Sequence, residues 1–218
     1  MCPPRIFPSN PLINMIRALL LLLALAPALH AGKFYPLFAE NTLRGWETFG
    51  PAKWTMKKGV LTGGQDGDPK RWGVIQTKMH FKDFELILDF QIDEHGKYNS
   101  GVFLRKPAQR STGPAYQINI GRGAAGEPVG LYLDQWLHKG DEKDAVRKPR
   151  EWNRLRIRAI GPRIQVWLNE KPIVDFTHKN PPAYLLKPGP IALQTYGAEG
   201  HSGWVKFRRM QIIEWKKK

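Results

Sequence analysis

Asn-Ser-Gly-Val-Phe-Leu-Arg, at residues 99–105, is the segment from which the architecture of this chain can be inferred. Apolar and polar residues alternate in it, and they alternate again in Tyr-Gln-Ile-Asn at residues 116–119. A period of two is the pattern of a β-strand with one buried face. The connection between them contains Pro107, Gly113 and Pro114, as a hairpin loop often does. The two segments are therefore predicted to be paired strands.

The polar positions of these two strands are predicted to share one face of a sheet. Alternation directs Val102 and its like-facing neighbours to the core, and it directs Asn99, Arg105, Gln117 and Asn119 to the opposite side. A surface of neutral amides with one guanidinium suits a polyhydroxylated ligand. The alternative is an ordinary solvated face, because the outer faces of antiparallel sheets are commonly polar.

The rest of the chain has the pattern of an all-β protein. Roughly a dozen short apolar segments are separated by turns, and no long segment has the 3.6-residue period of a helix. The longest alternating run is 81–92, in which Phe84, Leu86, Leu88 and Phe90 are predicted to be core. No internal boundary is evident, so the sequence predicts a single-domain sandwich of two sheets.

Composition excludes several classes of function. The net charge of +15 over 218 residues could indicate nucleic acid or another anionic partner. The basic residues are scattered and form no helical stripe, so a nucleic-acid partner is not predicted, whereas an acidic polysaccharide remains open. Cys2 is the only cysteine, and no zinc or calcium motif occurs. Neither a metal site nor a cofactor is therefore predicted.

The N-terminal residues 1–31 are predicted to be a secretory signal. Arg17 precedes an apolar run at residues 18–26 that is too short to span a membrane, and small-residue cleavage sites follow it. Met15 is the expected true start, and the mature domain is expected at residues 32–218. No cysteine follows the apolar run, so no anchor is expected after cleavage. The predicted location is periplasmic or secreted.

Six short segments of the sequence occur in the order in which one known family has them. They are Asp83-Phe84-Glu85-Leu86, residues 99–105, Glu151-Trp152-Asn153, Val166-Trp167-Leu168-Asn169, residues 189–194 and Val205-Lys206-Phe207-Arg208. On these segments the chain resembles the 3-keto-disaccharide hydrolase domain family from about Phe34 to Trp215. This resemblance implies a concanavalin-like jelly roll and a secreted bacterial protein that acts on glycosides oxidised at C3.

The sequence departs from the family's pattern at three positions. Gln117 and Arg122 stand where the family usually has Glu and Asp, and Tyr196 stands where a His is common. Two carboxylates and an imidazole, which could supply acid, base or metal-ligand chemistry, are thus replaced.

Candidate catalytic residues follow from the chemistry that the resemblance implies. A C3 ketone acidifies the C2 proton, so cleavage needs a base near C2 and a donor near the developing enolate oxygen. Arg105 is the predicted oxyanion donor, and Glu85 and His201 are predicted as acid or base. Asp89, Asp134 and His138 are alternatives. The predicted substrate-binding residues are polar or aromatic: Asn99, Gln117, Asn119, Trp136, Gln194 and Tyr196.

Three functions stay open from the sequence. The first is a secreted hydrolase or lyase acting on 3-keto-glycosides or 3-keto-disaccharides. The second is a non-catalytic carbohydrate-binding module on the same fold, with the polar face and loop tryptophans (Trp72, Trp136, Trp204) as its surface. The third is a purely structural or protein-binding sandwich. A carbohydrate is the expected ligand in the first two.

Overall fold

The predicted core run at residues 81–92 contains the strand Phe84–Ile92, which is central in one of the two sheets of a β-sandwich in the computed structural model. The predicted signal sequence, Arg122 and His201 lie outside the described residues. The residues that the structure does describe all fall within one compact unit, Ala31–Lys216. The ranges that the structure describes are 33–65, 72–93, 98–107, 114–120, 127–196 and 203–215.

Fifteen strands account for nearly all of the regular structure in the described residues. A single 3₁₀ turn, Ala183–Leu186, lies in the proline-rich connector before the last two strands. No helix in the described ranges is long and apolar enough to cross a membrane. The strands are β1 Tyr35–Pro36, β2 Trp46–Phe49, β3 Trp54–Lys57, β4 Val60–Gln65, β5 Gly73–Thr77, β6 Phe84–Ile92, β7 Asn99–Leu104, β8 Tyr116–Asn119, β9 Gly130–Tyr132, β10 Trp136–His138, β11 Asn153–Ile160, β12 Arg163–Leu168, β13 Lys171–Thr177, β14 Ala192–Tyr196 and β15 Gly203–Glu214.

The strands form two antiparallel sheets. The eight-stranded sheet has the order β13-β12-β11-β6-β15-β4-β3, with β1 added to β15. The seven-stranded sheet has the order β10-β9-β8-β7-β14-β5-β2. The predicted pairing of the two segments at residues 99–105 and 116–119 is confirmed, because Val102 lies opposite Ile118. The predicted two-sheet, single-domain sandwich is confirmed as well.

The core lies between the sheets and is built from the alternate residues of each strand. In β6 the side chains of Phe84, Leu86, Leu88 and Phe90 are fully buried, as predicted. The facing sheet contributes Val102 and its like-facing neighbours, which are also fully buried. Because successive side chains point to opposite faces, each sheet also carries an outer face of polar residues.

Leu88→Ala tests the assignment of the core. Removing a fully buried leucine side chain leaves a cavity, so the free energy of unfolding should fall by about 2–5 kcal/mol. Equilibrium unfolding in urea measures this change. Ile87→Ala is the matched control, because Ile87 is the adjacent, half-buried residue on the outer face. A loss for Leu88→Ala below about 0.5 kcal/mol would contradict the assignment.

Candidate functional site

A pocket of about 210 Å³ lies on the outer face of the seven-stranded sheet. Its wall is formed by five adjacent strands, β14, β7, β8, β9 and β10, and by the segment that leads into β9. The residues that line it are Asn99, Gln117, Asn119, Glu127, Tyr132, Trp136, Gln194 and Tyr196. All six predicted substrate-binding residues are among them, and their role in binding stays a prediction.

Strand alternation explains how these side chains come together. Asn99 lies opposite Tyr196, and Gln194 lies opposite Gly101, across the β7–β14 pair. Gly101 in turn lies opposite Asn119 on β8. Residues that are paired in register face the same side of a sheet, so the amides of three neighbouring strands share the pocket.

Two of the amides are joined across the middle strand. Gln117 Nε2 donates a hydrogen bond to Gln194 Oε1, and the two atoms are 2.9 Å apart. Gly101 makes room for this contact, because a Cβ at that position would lie 2.2 Å from Gln117 Nε2. The glycine in the first segment is therefore required for the amides to meet over β7.

The pocket contains a carboxylate that the sequence analysis did not select. Glu127 precedes β9, and its Oε2 accepts a hydrogen bond from Asn99 Nδ2 at 2.6 Å. Asn99 Oδ1 is buried and has no hydrogen-bond partner in the part of the chain that the structure describes. Asn99 therefore orients the carboxylate of Glu127 through its amide N–H group.

Aromatic side chains form the two ends of the pocket. Trp136 and Tyr132 meet edge to face, with ring centroids 5.3 Å apart and planes at 73°. Tyr132 Oη donates to the backbone carbonyl of Asp134, which fixes the ring. Tyr196 is 42% exposed at the β14 side. Such rings give an apolar surface beside the amides, which is the combination that a sugar ring needs.

Arg105 is not among the residues that line this pocket, and the prediction that it shares a face with Asn99, Gln117 and Asn119 is wrong. It follows the last residue of β7 with a φ of 50°, which breaks the alternation of the strand. The residue is 2% exposed, and its guanidinium donates to the backbone carbonyls of Lys82, Gly161 and Leu185 and to Asp83. Arg105 is thus a buried structural residue at one end of the sandwich.

Glu85 is also remote from the pocket. It faces outward as its alternation predicted, but β6 belongs to the eight-stranded sheet, so it lies on the opposite side of the sandwich. Its Oε2 forms an ion pair with Arg158 Nη2, and the two atoms are 2.6 Å apart. The structure therefore does not bring Glu85 together with the residues of the pocket.

The alternative candidates are not among the residues that line the pocket either. Asp89 is on the same outer face as Glu85 and accepts hydrogen bonds from Arg154 and Arg208. Asp134 and His138 flank Trp136 on its loop and strand, and His138 Nδ1 accepts from the backbone N–H of Gly140. Within the described ranges, no three His, Cys, Asp or Glu side chains are placed to hold a metal ion.

Comparison with known families matches residues 33–213 to the domain described as 3-keto-alpha-glucoside-1,2-lyase-like. The match spans all fifteen strands except the last residue of β15. No curated protein matches the chain in sequence.

Solved structures with the same architecture have carbohydrate-related names. Two are candidate glycosyl hydrolases from Parabacteroides distasonis. The first is 17% identical over 84% of this chain and 94% of that one, with a TM-score of 0.60. The second is 25% identical over 83% of this chain and 98% of that one, with a TM-score of 0.56. A carbohydrate-binding module from Bacillus subtilis is 15% identical over 80% of this chain and 98% of that one, with a TM-score of 0.55. These likenesses confirm the concanavalin-like jelly roll.

Proposed function

The chain belongs to the family of 3-keto-alpha-glucoside-1,2-lyase-like domains, and on this premise we propose that it cleaves 3-keto-glycosides in the pocket of the seven-stranded sheet. A carbohydrate-related function is supported by the family and by the names of the structural neighbours. The observation that carries the finer proposal is the placement of Glu127, the one carboxylate among the described residues that line the pocket.

The pocket offers the groups that the elimination needs. The ketone at C3 acidifies the C2 proton, and Glu127 accepts that proton as the C2–H bond breaks. The electron pair forms the enolate, whose oxygen accepts hydrogen bonds from amide N–H groups such as those of Gln117 or Asn119. Re-formation of the ketone gives the C1–C2 double bond and expels the group at C1, which takes up the proton that Glu127 removed from C2. Addition of water to this double bond then completes a net hydrolysis.

Asn99 has a positioning role in this scheme. Its Nδ2 donates to the carboxylate that would act as the base, so it holds that carboxylate in one orientation. The other amides meet the sugar hydroxyls, and Trp136 supplies a stacking surface.

A direct assay tests the proposal. The protein is incubated with a 3-keto-glucoside that carries a chromogenic group at C1, and release of that group is followed. The matching glucoside with a hydroxyl at C3 is the control, because its C2 proton is not acidified. Cleavage of the ketone substrate alone is expected. No cleavage of either compound would contradict the proposal.

A non-catalytic carbohydrate-binding module is the second candidate, and one observation favours it. Gln117 lines the pocket with an amide rather than a carboxylate, and this amide is hydrogen-bonded to the amide of Gln194. An amide pair can orient hydroxyl groups but cannot accept a proton at neutral pH. In that case the pocket would bind a glycoside and leave it intact.

Gln117→Glu separates the two candidates further. The new carboxylate would lie beside the Oε1 of Gln194, where it could act as a second base after a small shift of the Gln194 side chain. A binding module should gain detectable cleavage of the 3-keto-glucoside from this change. An active enzyme that uses Glu127 should show little gain. Turnover measured beside the isosteric control Gln211→Glu, at an exposed position on β15 of the other sheet, distinguishes these outcomes.

Export of the domain is part of the same proposal. The basis is the apolar run at residues 18–26 followed by small-residue cleavage sites. We expect a periplasmic or secreted protein that begins near Gly32, and N-terminal sequencing of protein exported from a bacterial host tests this. A first residue of Met1 or Met15 would contradict it.

A further inference from the structure

The outer face of the eight-stranded sheet, on the side of the sandwich away from the pocket, carries a concentration of basic side chains. Alternation along β11 places Arg154, Arg156 and Arg158 on this face, about 6.5–7 Å apart along the strand. Two strands away, β15 adds Lys206 and Arg208. These five residues are called the basic face below.

The acidic residues of this region lie beneath the arginines. The side chains of Glu85 and Asp89 on β6, between the two basic strands, are only 8% and 6% exposed. Asp89 accepts from Arg154 Nε at 2.9 Å and from Arg208 Nε at 3.2 Å. The side chains of Arg154, Arg158 and Arg208 remain 30–44% exposed above these carboxylates. Positive charge is therefore presented to solvent, while the negative charge fixes its position from below.

Tryptophans also hold the cations in place. Arg156 lies 4.0 Å from the ring centroid of Trp167, and Arg208 lies at the same distance from Trp152. Lys206 is 4.0 Å from the ring centroid of Trp204. A cation stacked on an indole ring keeps its N–H groups free for an anion, and it loses less freedom on binding than a mobile side chain.

Two of these cations have no carboxylate partner. Neither Arg156 nor Lys206 forms an ion pair with any residue in the part of the chain that the structure describes. Arg156 Nε is moreover buried without a hydrogen-bond partner there. Their charge is thus uncompensated, although each is held by a tryptophan.

We propose that the basic face is a second binding site, one for an anionic polysaccharide that carries carboxylate or sulfate groups. Guanidinium groups in a fixed, planar orientation match such anions through paired hydrogen bonds. A single-stranded nucleic acid is disfavoured, because it needs free aromatic faces on which bases stack. Here three of the indole rings are covered by cations. The site is independent of the glycoside pocket and would hold the protein on a charged polymer.

Binding of two defined polymers to the full chain tests this proposal. Heparin carries sulfate groups and polygalacturonate carries carboxylates, and neutral dextran is the uncharged control. We expect calorimetry at low ionic strength to detect heparin, polygalacturonate or both, and not dextran. The binding should weaken strongly at about 0.5 M salt, because the exposed charges are then screened.

The double variant Arg156→Gln/Lys206→Gln should weaken that binding by about tenfold or more, since hydrogen bonds to charged groups are lost. It breaks no ion pair of the described residues, so the fold should be retained. The matched control is Arg44→Gln/Lys78→Gln, which removes two exposed charges near β2 and β5 of the other sheet. Arg156→Lys keeps the charge but not the planar fork, and it should show an intermediate loss.

Three outcomes would overturn the proposal. One is the absence of binding to both charged polymers at low salt. Another is an equal loss in the two double variants, which would assign the affinity to net charge alone. The third is tighter binding of single-stranded DNA than of either polysaccharide, which would identify the face as a nucleic-acid site.

Discussion

Glu127→Gln is expected to lower the turnover of a 3-keto-glucoside by about 10²–10⁴-fold, the contribution that a positioned general base usually makes. The substitution keeps the shape of the side chain and an oxygen that can accept from Asn99 Nδ2. It removes only the ability to take up a proton. The loss should therefore appear in kcat, with little change in KM where KM reflects binding.

Glu47→Gln is the matched control for this experiment. Glu47 is an exposed carboxylate on β2, at the opposite edge of the same sheet. It is not among the residues that line the pocket, so its amide variant should turn over substrate at the wild-type rate. If Glu127→Gln retains turnover within about twofold while the protein stays folded, the base is a different group.

The same variant also addresses the alternative function. Binding of an unoxidised glucoside does not need a base, so a pure binding module should lose affinity only modestly in Glu127→Gln. The amides of Gln117 and Asn119 line the pocket in either case. Calorimetry with the unoxidised sugar therefore reports on the pocket, and turnover of the 3-keto-glucoside reports on Glu127.

Local alternation predicted the part of the site that lies inside strands. Asn99, Gln117 and Asn119 were placed on one face by a period of two, and they line the pocket because β7 and β8 are regular over these residues. The core positions of β6 were predictable for the same reason. Gln194 and Trp136 also reach the pocket. The strand β10, which carries Trp136, was not predicted, because it is only three residues long and lies in a charged segment.

The errors arose where the information is not local. Arg105 continues the pattern of β7 in the sequence, but its positive φ turns the side chain away from the expected face. Glu85 has the predicted orientation relative to its own strand, and only the strand order shows that β6 belongs to the other sheet. Glu127 lies before β9 in a segment without periodicity. Its one signal was an acidic residue three positions before a strand.

Arg105→Met is expected to lower the free energy of unfolding by about 3–5 kcal/mol, the usual cost of breaking a buried ion pair by removing one partner. Burial lowers the pKa of the Arg105 guanidinium, and Asp83 opposes that shift. The variant leaves the carboxylate of Asp83 with the backbone N–H of Gly161 but without the cation. It also leaves the carbonyls of Lys82 and Leu185 without their donor.

Denaturant unfolding measures this loss, and two further variants assign its cause. Arg163 forms an exposed ion pair with Asp175, so Arg163→Met should change stability far less. Adding Asp83→Asn to Arg105→Met removes the uncompensated charge and should recover part of the stability. At a temperature where Arg105→Met is folded, its turnover should equal that of the wild type, because Arg105 does not line the pocket. A selective loss of kcat in a stable Arg105→Met protein would instead restore the arginine to the catalytic machinery and refute the structural role assigned to it.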